Sequence, residues 1–243
     1  MPLPRLFVNH ALAEDKTLTL PVEAMHYLAH VRRLREGDGL LVFNGEGGEY
    51  QAEVLQLKKG MLSLKIKNYQ AVSNESPLQL ELAQGVARGE KMDLIIQKAV
   101  ELGIKKIIPL FTERSTIKLT ADKREKRREH WQAIAISACE QSGRAFVPPV
   151  VLPLSLADWL KGFQGQGFTL APASTKHISS LTIPENRALT LLVGPEGGLS
   201  QAEVRLAEQK EFLPLNLGPR ILRTETAALV AITALQTRFG DLA

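Results

Sequence analysis

The sequence predicts two structural units, a small β-rich one followed by an α/β unit built on a parallel sheet. Up to residue 72, short alternating strand patterns are separated by glycine-rich turns. From residue 73 onward, apolar strand patterns alternate with helical ones, which indicates a parallel sheet covered on both faces. Between them, the polar stretch 72–77 ends in proline, as a linker often does. We therefore predict domains at 1–72 and 73–243.

The first unit is predicted to contain two hairpins and an early strand, an arrangement that favours a small barrel or sandwich. A helix is predicted between them, because Pro21 stands at a helix-entry position and apolar residues follow at helical spacing. The strands are predicted at 5–8, 39–43, 51–57 and 61–67, with turns at 44–50 and 58–60.

In the second unit, predicted strands and helices alternate along the chain, which indicates a sheet with helices on both faces. Gly103 is expected to end the first helix. The strands are predicted at 78–87, 106–111, 168–173, 188–193 and 212–217, and the helices at 91–103, 121–143, 200–210 and 224–239.

Composition narrows the class of protein without deciding its function. Hydrophobic residues make up 44% of the chain, which is typical of a globular protein. The single cysteine, Cys139, excludes an internal disulfide framework and is expected to be a core residue. We predict no membrane span and no signal peptide, and hence a cytoplasmic protein. The net charge is +4, and residues 73–150 carry 13 basic against 10 acidic side chains, which suits either a phosphate-binding face or a solvated surface.

The segment GPEGGLS (194–200) follows an apolar strand and precedes a helix. Ser200 and Glu203 have the spacing of a capping box. Gly194, Gly197 and Gly198 let a ligand approach the backbone closely, although a plain strand-to-helix turn explains one or two glycines equally well. The segment is neither a Walker A loop nor a dinucleotide fingerprint.

The segment LGPRILRTETA (217–227) has the same position relative to a strand and a helix. Thr224 is predicted to cap the helix, and the amides at its start suit an anion. Arg220 and Arg223 are suited to phosphates, or are simply surface residues. His26 and His30 share a helix face, but no further ligand completes a metal site, so we predict none.

Four long segments in the right order closely resemble the RsmE family of bacterial methyltransferases, which modify N3 of a uridine in small-subunit ribosomal RNA. They are RGEKMDLIIQKAVELGIKKIIPLFTERS (88–115), ISACEQSGRAFVPPV (136–150), GPEGGLSQAE and LNLGPRILRTETAALVA. The N-terminal RLFV and HYLAHVRRLREGD match as well, so the resemblance spans essentially the whole chain.

The resemblance implies a PUA-like RNA-binding β-barrel followed by a SPOUT α/β domain whose C-terminal part, about 168–243, forms a trefoil knot. It also implies a homodimer that binds S-adenosyl-L-methionine in the knot loops and needs no metal. The cofactor-binding residues that it implies are Leu170, Ala171, Val193, Gly194, Pro195, Glu196, Gly197, Gly198, Leu217, Gly218, Ile221, Leu222, Arg223, Thr226 and Ala227.

The substrate implied is 16S rRNA in the 30S subunit, methylated near its 3' end. Loss of the uracil N3 proton requires a base or a stabilised anion. Arg223 is a candidate for binding uracil oxygens or a flanking phosphate, and Glu225, or less directly Glu196, for the base; each also has a purely structural explanation. RNA contacts are expected at Arg5, Arg32, Arg33, Arg88, Lys91, Arg114 and Arg144, with Arg35 also plausible.

Two other functions remain open on the sequence. One is a knotted methyltransferase that acts on another RNA site, such as tRNA or a ribose 2'-hydroxyl. The other is a non-catalytic RNA-binding factor of ribosome assembly. The intact pair of glycine segments favours the enzyme, because a purely structural role does not need two ligand-facing loops.

Overall fold

The computed structural model of the chain describes residues 3–21, 34–58, 60–72, 74–115, 120–183 and 188–242. It divides into two compact units, the first formed by Met1–Glu75 with Ile136–Val147 and the second by Ser76–Ala135 with Pro148–Ala243. One boundary lies within the predicted linker at 72–77. The domain limits 1–72 and 73–243 remain a prediction. The first unit of the structure also contains the segment Ile136–Val147, which these limits place in the second domain.

The first unit is a five-stranded sheet of β1 (Arg5–Phe7), β2 (Thr17–Pro21), β3 (Gly39–Phe43), β4 (Glu49–Lys58) and β5 (Met61–Gln70). The strand order is β1-β3-β4-β5-β2. β1 is parallel to β3, and the other neighbours are antiparallel. Alternate side chains of each strand point to the core, as Leu62, Leu64 and Ile66 do in β5.

Strand β2 was not predicted, although its sequence TLTLP alternates and buries Leu20. Pro21 is the last residue of this edge strand, a position at which the sheet does not need the N–H donor that proline lacks. The predicted helix that follows lies mostly in residues 22–33, outside the described residues.

The buried side of the first unit contains two ion pairs. Arg144 is 3% exposed and binds the carboxylate of Glu75 through Nε at 2.9 Å and Nη2 at 2.6 Å. Arg5 binds Glu49 through Nε at 3.0 Å and donates to the Cys139 carbonyl at 2.7 Å. Cys139 is fully buried, and burial raises the pKa of its thiol to about 12, which confirms it as an inert core residue.

Glu140 in the same unit makes the stability of the fold depend on pH. Its Oε1 accepts a hydrogen bond from Phe7 N at 2.9 Å, and its Oε2 is buried with no hydrogen-bond partner. Burial raises the pKa of Glu140 to about 7, against the opposing effects of the Phe7 N–H and the Arg5 charge. The folded chain thus keeps a proton that the unfolded chain loses near pH 4.5. The free energy of unfolding therefore falls as the pH rises through this window.

A Glu140→Gln variant is expected to match the parent chain near the acid end of this window and to exceed its free energy of unfolding by about 2–3 kcal/mol at pH ~8. Urea unfolding at the two pH values measures this difference. Glu36→Gln, which changes an exposed carboxylate of the same unit, serves as the control. If Glu140→Gln shows the same pH dependence as the parent, the buried carboxyl does not titrate in this window.

The second unit is a six-stranded parallel sheet of β6 (Leu80–Gly85), β7 (Lys106–Phe111), β8 (Leu154–Ser155), β9 (Gln166–Leu170), β10 (Leu189–Val193) and β11 (Leu213–Leu215). The strand order is β11-β9-β10-β6-β7-β8. All five residues of β10 are buried, as expected for a strand covered on both faces. The predicted parallel sheet is confirmed.

Helices cover both faces of this sheet. They are α1 (Glu90–Glu101), α2 (Ala121–Ser142), α3 (Leu156–Lys161), α4 (Gln201–Glu208) and α5 (Thr224–Phe239), with a 3₁₀ turn at Ile178–Ser180. On one face, Leu156 and Leu160 of α3 and Ala207 of α4 pack with Ala83 and Leu192. α1 packs on α5, and α5 packs on β10.

The four long helices were predicted to within two residues, whereas β8, α3 and the 3₁₀ turn were not predicted. β8 has only two residues and α3 only six, too few for a periodic pattern to emerge. None of the described helices combines the length and apolar character that a membrane-spanning helix needs.

Candidate functional site

A cavity of about 880 Å³ lies in the second unit, where β9, β10 and β11 end. In an open parallel sheet the carboxyl ends of the strands meet at one edge, where ligands usually bind. Segments 169–172, 192–199 and 214–224 supply most of its lining, and the other lining residues are Lys91 of α1, Arg114 after β7, Val204 and Glu208 of α4, and Ala227 of α5. Both glycine segments picked out in the sequence therefore border one cavity.

The first glycine segment is folded tightly on itself. A Cβ on Gly194 would lie 2.8 Å from backbone atoms of Gly198 and Leu199, and Gly198 has a φ of 68°. Ser200 and Glu203 form the predicted capping box: Ser200 Oγ accepts from Glu203 N at 3.2 Å, and Glu203 Oε2 accepts from Ser200 N at 2.8 Å. The segment thus presents main chain, with little side-chain bulk, to the cavity.

Asn216 holds the second glycine segment against the loop that follows β9. Its Nδ2 donates to the carbonyl oxygens of Pro172 at 2.7 Å and Ser174 at 2.9 Å. Its Oδ1 accepts from Gly218 N at 2.6 Å, and Gly218 has a φ of 112° that favours glycine. One amide side chain therefore sets the separation of two cavity walls.

Three side chains of the second segment reach solvent at the cavity. Arg220 and Arg223 are exposed, and Ile221 between them is 89% exposed. Two guanidinium groups at the entrance favour a polyanionic partner such as RNA.

The predicted capping role of Thr224 is wrong. Thr224 is the first residue of α5, and Arg223 occupies the N-cap position without a side-chain cap. The Thr224 hydroxyl instead donates to the Gly194 carbonyl at 2.6 Å and accepts from Gln84 Nε2 at 3.1 Å. A tertiary hydrogen bond has replaced the local one, because the side chain of a first-turn residue at this buried position faces β10 and β6.

Lys91 lies between the two candidate carboxylates. Its Nζ is 3.6 Å from Glu196 Oε1 and 3.8 Å from Glu225 Oε1. The pKa of Glu196 is lowered: burial acts to raise it, but the Arg88 N–H, at 3.0 Å, and the Lys91 charge outweigh that effect. The Glu225 side chain is only 15% exposed, and its Oε2 is buried without a hydrogen-bond partner. Glu225 is therefore the more enclosed of the two carboxylates.

The structure brings together nearly all residues that the sequence analysis assigned to the cofactor. Thr226 alone does not line the cavity; it is an exposed residue of α5. The other fourteen do: Leu170, Ala171, Val193, Gly194, Pro195, Glu196, Gly197, Gly198, Leu217, Gly218, Ile221, Leu222, Arg223 and Ala227.

The residues predicted to contact RNA are divided by the structure. Lys91 and Arg114 line the cavity, and Arg114 Nη1 donates to the Gly197 carbonyl at 2.8 Å. Arg88 binds Glu196 through its backbone N–H, next to that lining. Arg35 is exposed in the first unit, and Arg32 and Arg33 lie outside the described residues.

The geometry argues against Arg5 and Arg144 as phosphate contacts. Both guanidinium groups are engaged by carboxylates inside the first unit, Arg5 by Glu49 and Arg144 by Glu75. Removing such a buried charge from its partner would be strongly unfavourable. Basic side chains are the type that binds RNA phosphates, which is why both residues were predicted. Both are buried against carboxylates of the first unit, and the sequence pattern does not show that burial.

Two residues that hold the cavity walls together, Gln84 and Asn216, are not among those that the sequence predicts for the site. Gln84 is fully buried near the end of β6, which also contains Glu81, and Asn216 follows the short strand β11. A polar residue at the carboxyl end of a predicted strand is the signal that the sequence offers, since buried polar groups need partners.

In the part of the chain that the structure describes, no group of three or more His, Cys, Asp and Glu side chains is placed to hold a metal ion. His130 binds Asp93 at 2.9 Å on the surface of the second unit. His26 and His30 lie outside the described residues.

Two family models match the chain. The model of an RNA methyltransferase domain matches residues 74–236, and the model of an RNA methyltransferase PUA domain matches residues 20–67.

Relatives of known name match over nearly the whole chain. The ribosomal RNA small subunit methyltransferase E of Buchnera aphidicola (from Schizaphis graminum) is 37% identical, over 99% of this chain and 98% of its own. That of Bacillus subtilis is 34% identical, over 92% of this chain and 91% of its own.

Two solved structures are similar in fold and sequence. A Legionella pneumophila protein with the bound cofactor SAM has a TM-score of 0.93 and 37% identity, and the similarity covers 100% of both chains. The ribosomal RNA small subunit methyltransferase E of Neisseria gonorrhoeae, bound to S-adenosyl methionine, has a TM-score of 0.90 and 34% identity, over 99% of this chain and 100% of its own.

Proposed function

The chain belongs to the ribosomal RNA small subunit methyltransferase E family, the RsmE family, and from that membership we propose that it methylates N3 of a uridine near the 3' end of 16S rRNA. It is an S-adenosylmethionine-dependent ribosomal RNA methyltransferase with a PUA-like N-terminal domain. The observation that carries the proposal is the convergence of both glycine segments and Arg223 at one cavity, with Glu225 3.8 Å from the lining residue Lys91.

The cavity fits this cofactor. Its volume of about 880 Å³ lies in the range of small-molecule sites. Gly194 allows the tight fold of the segment that forms one wall of the cavity, since a Cβ there would lie 2.8 Å from backbone atoms of Gly198 and Leu199. When bound, S-adenosylmethionine supplies an electrophilic methyl group on a cationic sulfonium. We propose that the fourteen lining residues named above hold it, and that the carboxylates of Glu196 and Glu225 suit its positive charge.

Glu225 is proposed as the base that removes the uracil N3 proton. Its Oε2 is buried and accepts no hydrogen bond within the fold, and Glu225 follows Thr224, which lines the cavity. The proposal requires the side chain to turn towards the cavity when the uridine binds, away from Lys91, which lies 3.8 Å from Oε1. Glu196 is the weaker candidate, because the Arg88 N–H and Lys91 already engage it.

Arg223 is proposed to stabilise the negative charge that develops on the uracil oxygens. Arg223→Ala is expected to lower kcat by about tenfold at saturating RNA and cofactor, because an exposed donor contributes less than one in a dry site. Steady-state kinetics measures the effect, with Arg220→Ala as the neighbouring comparison. A loss confined to KM for RNA, with a shallower salt dependence, would instead identify a phosphate contact.

The trefoil knot over about 168–243 is proposed as part of this fold. After edge strand β11 the chain returns past β9, so that the Thr224 hydroxyl reaches Gly194 at the end of β10. A return of this kind is what the threading of a C-terminal segment through a preceding loop requires. We also propose that the protein is a homodimer and acts on the 30S subunit in the cytoplasm. Sedimentation analysis of the purified protein tests whether it is a homodimer.

One experiment tests the proposed function directly. Small ribosomal subunits, naked 16S rRNA and tRNA are incubated with the protein and methyl-labelled S-adenosylmethionine, and the labelled nucleotide is mapped by mass spectrometry. The proposal expects 3-methyluridine in the small subunits. Label on a ribose or in tRNA would assign a different RNA site, and no transfer to any RNA would favour a binding factor.

A further inference from the structure

Two buried side chains, those of Gln84 and Thr224, connect the two glycine segments. Gln84 is the penultimate residue of β6, paired in register with Val193 of β10, and is fully buried. Its Nε2 lies 3.1 Å from Thr224 Oγ1, 3.3 Å from the Gly194 carbonyl oxygen and 3.0 Å from the Gly85 carbonyl oxygen. The Thr224 hydroxyl lies 2.6 Å from the same Gly194 oxygen.

The direction of these hydrogen bonds is set by the partners. A carbonyl oxygen only accepts, so the Thr224 hydroxyl gives its single proton to Gly194. That hydroxyl then has only a lone pair for Gln84, and the amide NH₂ must be the group that faces it. The chain of donors therefore runs from Gln84 to Thr224 to Gly194.

The surroundings leave this network little freedom to adjust. A Cβ on Gly85, next to Gln84, would lie 2.6 Å from Pro195 Cδ and 2.7 Å from Pro195 N. The backbone of β6 thus supports the first glycine segment directly. Buried polar networks of this kind are strongly unfavourable to break, because each unpaired group keeps its desolvation penalty.

We infer that Gln84 and Thr224 are positioning residues, which set the distance between the two cofactor-binding segments and thereby the placement of the catalytic candidates. Thr224 stands between Arg223 and Glu225 in the chain, and Gly194 begins the opposite wall. A shift of Thr224 away from Gly194 displaces both candidates and widens the cavity. Thr224 lines the cavity, whereas Gln84 does not. Gln84 therefore acts only through its neighbours.

The opposite end of α5 offers a matched control. Ser76 Oγ donates to Gln236 Oε1 at 2.6 Å, and Gln236 Nε2 donates to the Leu102 carbonyl at 2.8 Å. Ser76 is 3% exposed and Gln236 is fully buried. This network is similar in chemistry and burial and holds the same helix, but neither side chain lines the cavity.

The test compares Thr224→Val, Thr224→Ser, Gln84→Leu and Ser76→Ala in the full-length chain. Cofactor affinity is measured by titration calorimetry with S-adenosylmethionine, kcat by methyl transfer to small subunits, and stability by urea unfolding. Thr224→Val and Gln84→Leu are each expected to weaken cofactor binding and to lower kcat at saturating cofactor, both by about tenfold, a change that corresponds to about 1.4 kcal/mol. Thr224→Ser, which keeps the hydroxyl, should stay within about threefold of the parent.

Ser76→Ala is expected to lower the urea midpoint as much as Thr224→Val while leaving cofactor affinity and kcat within about twofold. The inference is overturned if Thr224→Val binds and turns over like the parent, or if Ser76→Ala loses activity in proportion to its stability. The inference rests on the proposed function for its kinetic measurement only. If the parent chain transfers no methyl group, the proposed function fails, while the calorimetric comparison still decides the positioning role.

Discussion

A Glu225→Gln enzyme is expected to bind S-adenosylmethionine with nearly parental affinity and to transfer methyl groups at least about 100-fold more slowly, the contribution usual for a positioned general base. The amide keeps the shape of the side chain but cannot accept the N3 proton. Glu225 carries this expectation because its Oε2 is buried without a hydrogen-bond partner, while Lys91 lies 3.8 Å from Oε1.

Two comparisons make the result specific. Glu101→Gln removes a carboxylate that pairs with Lys98, away from the cavity, and is expected to leave kcat unchanged. Glu196→Gln removes the competing candidate, whose carboxylate also faces Lys91. If Glu196→Gln abolishes turnover and Glu225→Gln does not, the assignment of the base passes from one carboxylate to the other.

A Gly194→Ala enzyme is expected to bind the cofactor about 10- to 100-fold more weakly. The added methyl group would stand 2.8 Å from backbone atoms of Gly198 and Leu199, so the segment must open and this wall of the cavity must change shape. Overpacking of this kind is unfavourable by about 1–3 kcal/mol. Here that free energy is expected to weaken cofactor binding, because the displaced segment lines the binding site. Titration calorimetry measures the affinity.

Gly162→Ala is the matched control, because a Cβ there meets no atom within 4 Å and φ is −94°. The same chemical change in the same unit should therefore leave affinity unaltered. Equal affinities for Gly194→Ala and the parent chain would show that the segment adapts to a side chain, and its tight fold would no longer explain the glycine at this position.

The longer elements of the second unit could be predicted because each carries its own pattern. Strand β10 is apolar apart from Thr190, since both of its faces are covered, and α5 begins and ends at the predicted residues. The capping box of Ser200 and Glu203 was also predictable, since both partners lie within one helical turn. The short elements β8 and α3 lacked enough residues to show a period.

Such patterns could not predict contacts between residues that are distant in the sequence. The pairing of Arg144 with Glu75 and the bonds of Thr224 to Gly194 and Gln84 depend on where the strands lie in the sheet. Thr224 shows this most clearly: its local options favoured a helix cap, but burial against β10 and β6 offered a tertiary acceptor instead.

By itself, the sequence determined that GPEGGLS and LGPRILRTETA end strands, start helices and leave room for a ligand, because turn glycines and helix periodicity are local properties. Only the tertiary structure decided that the two segments border one cavity and that Lys91 faces both Glu196 and Glu225. It also decided that Gln84 ties the segments together. Strand order in a parallel sheet brings remote segments to one edge, and no local pattern encodes that order.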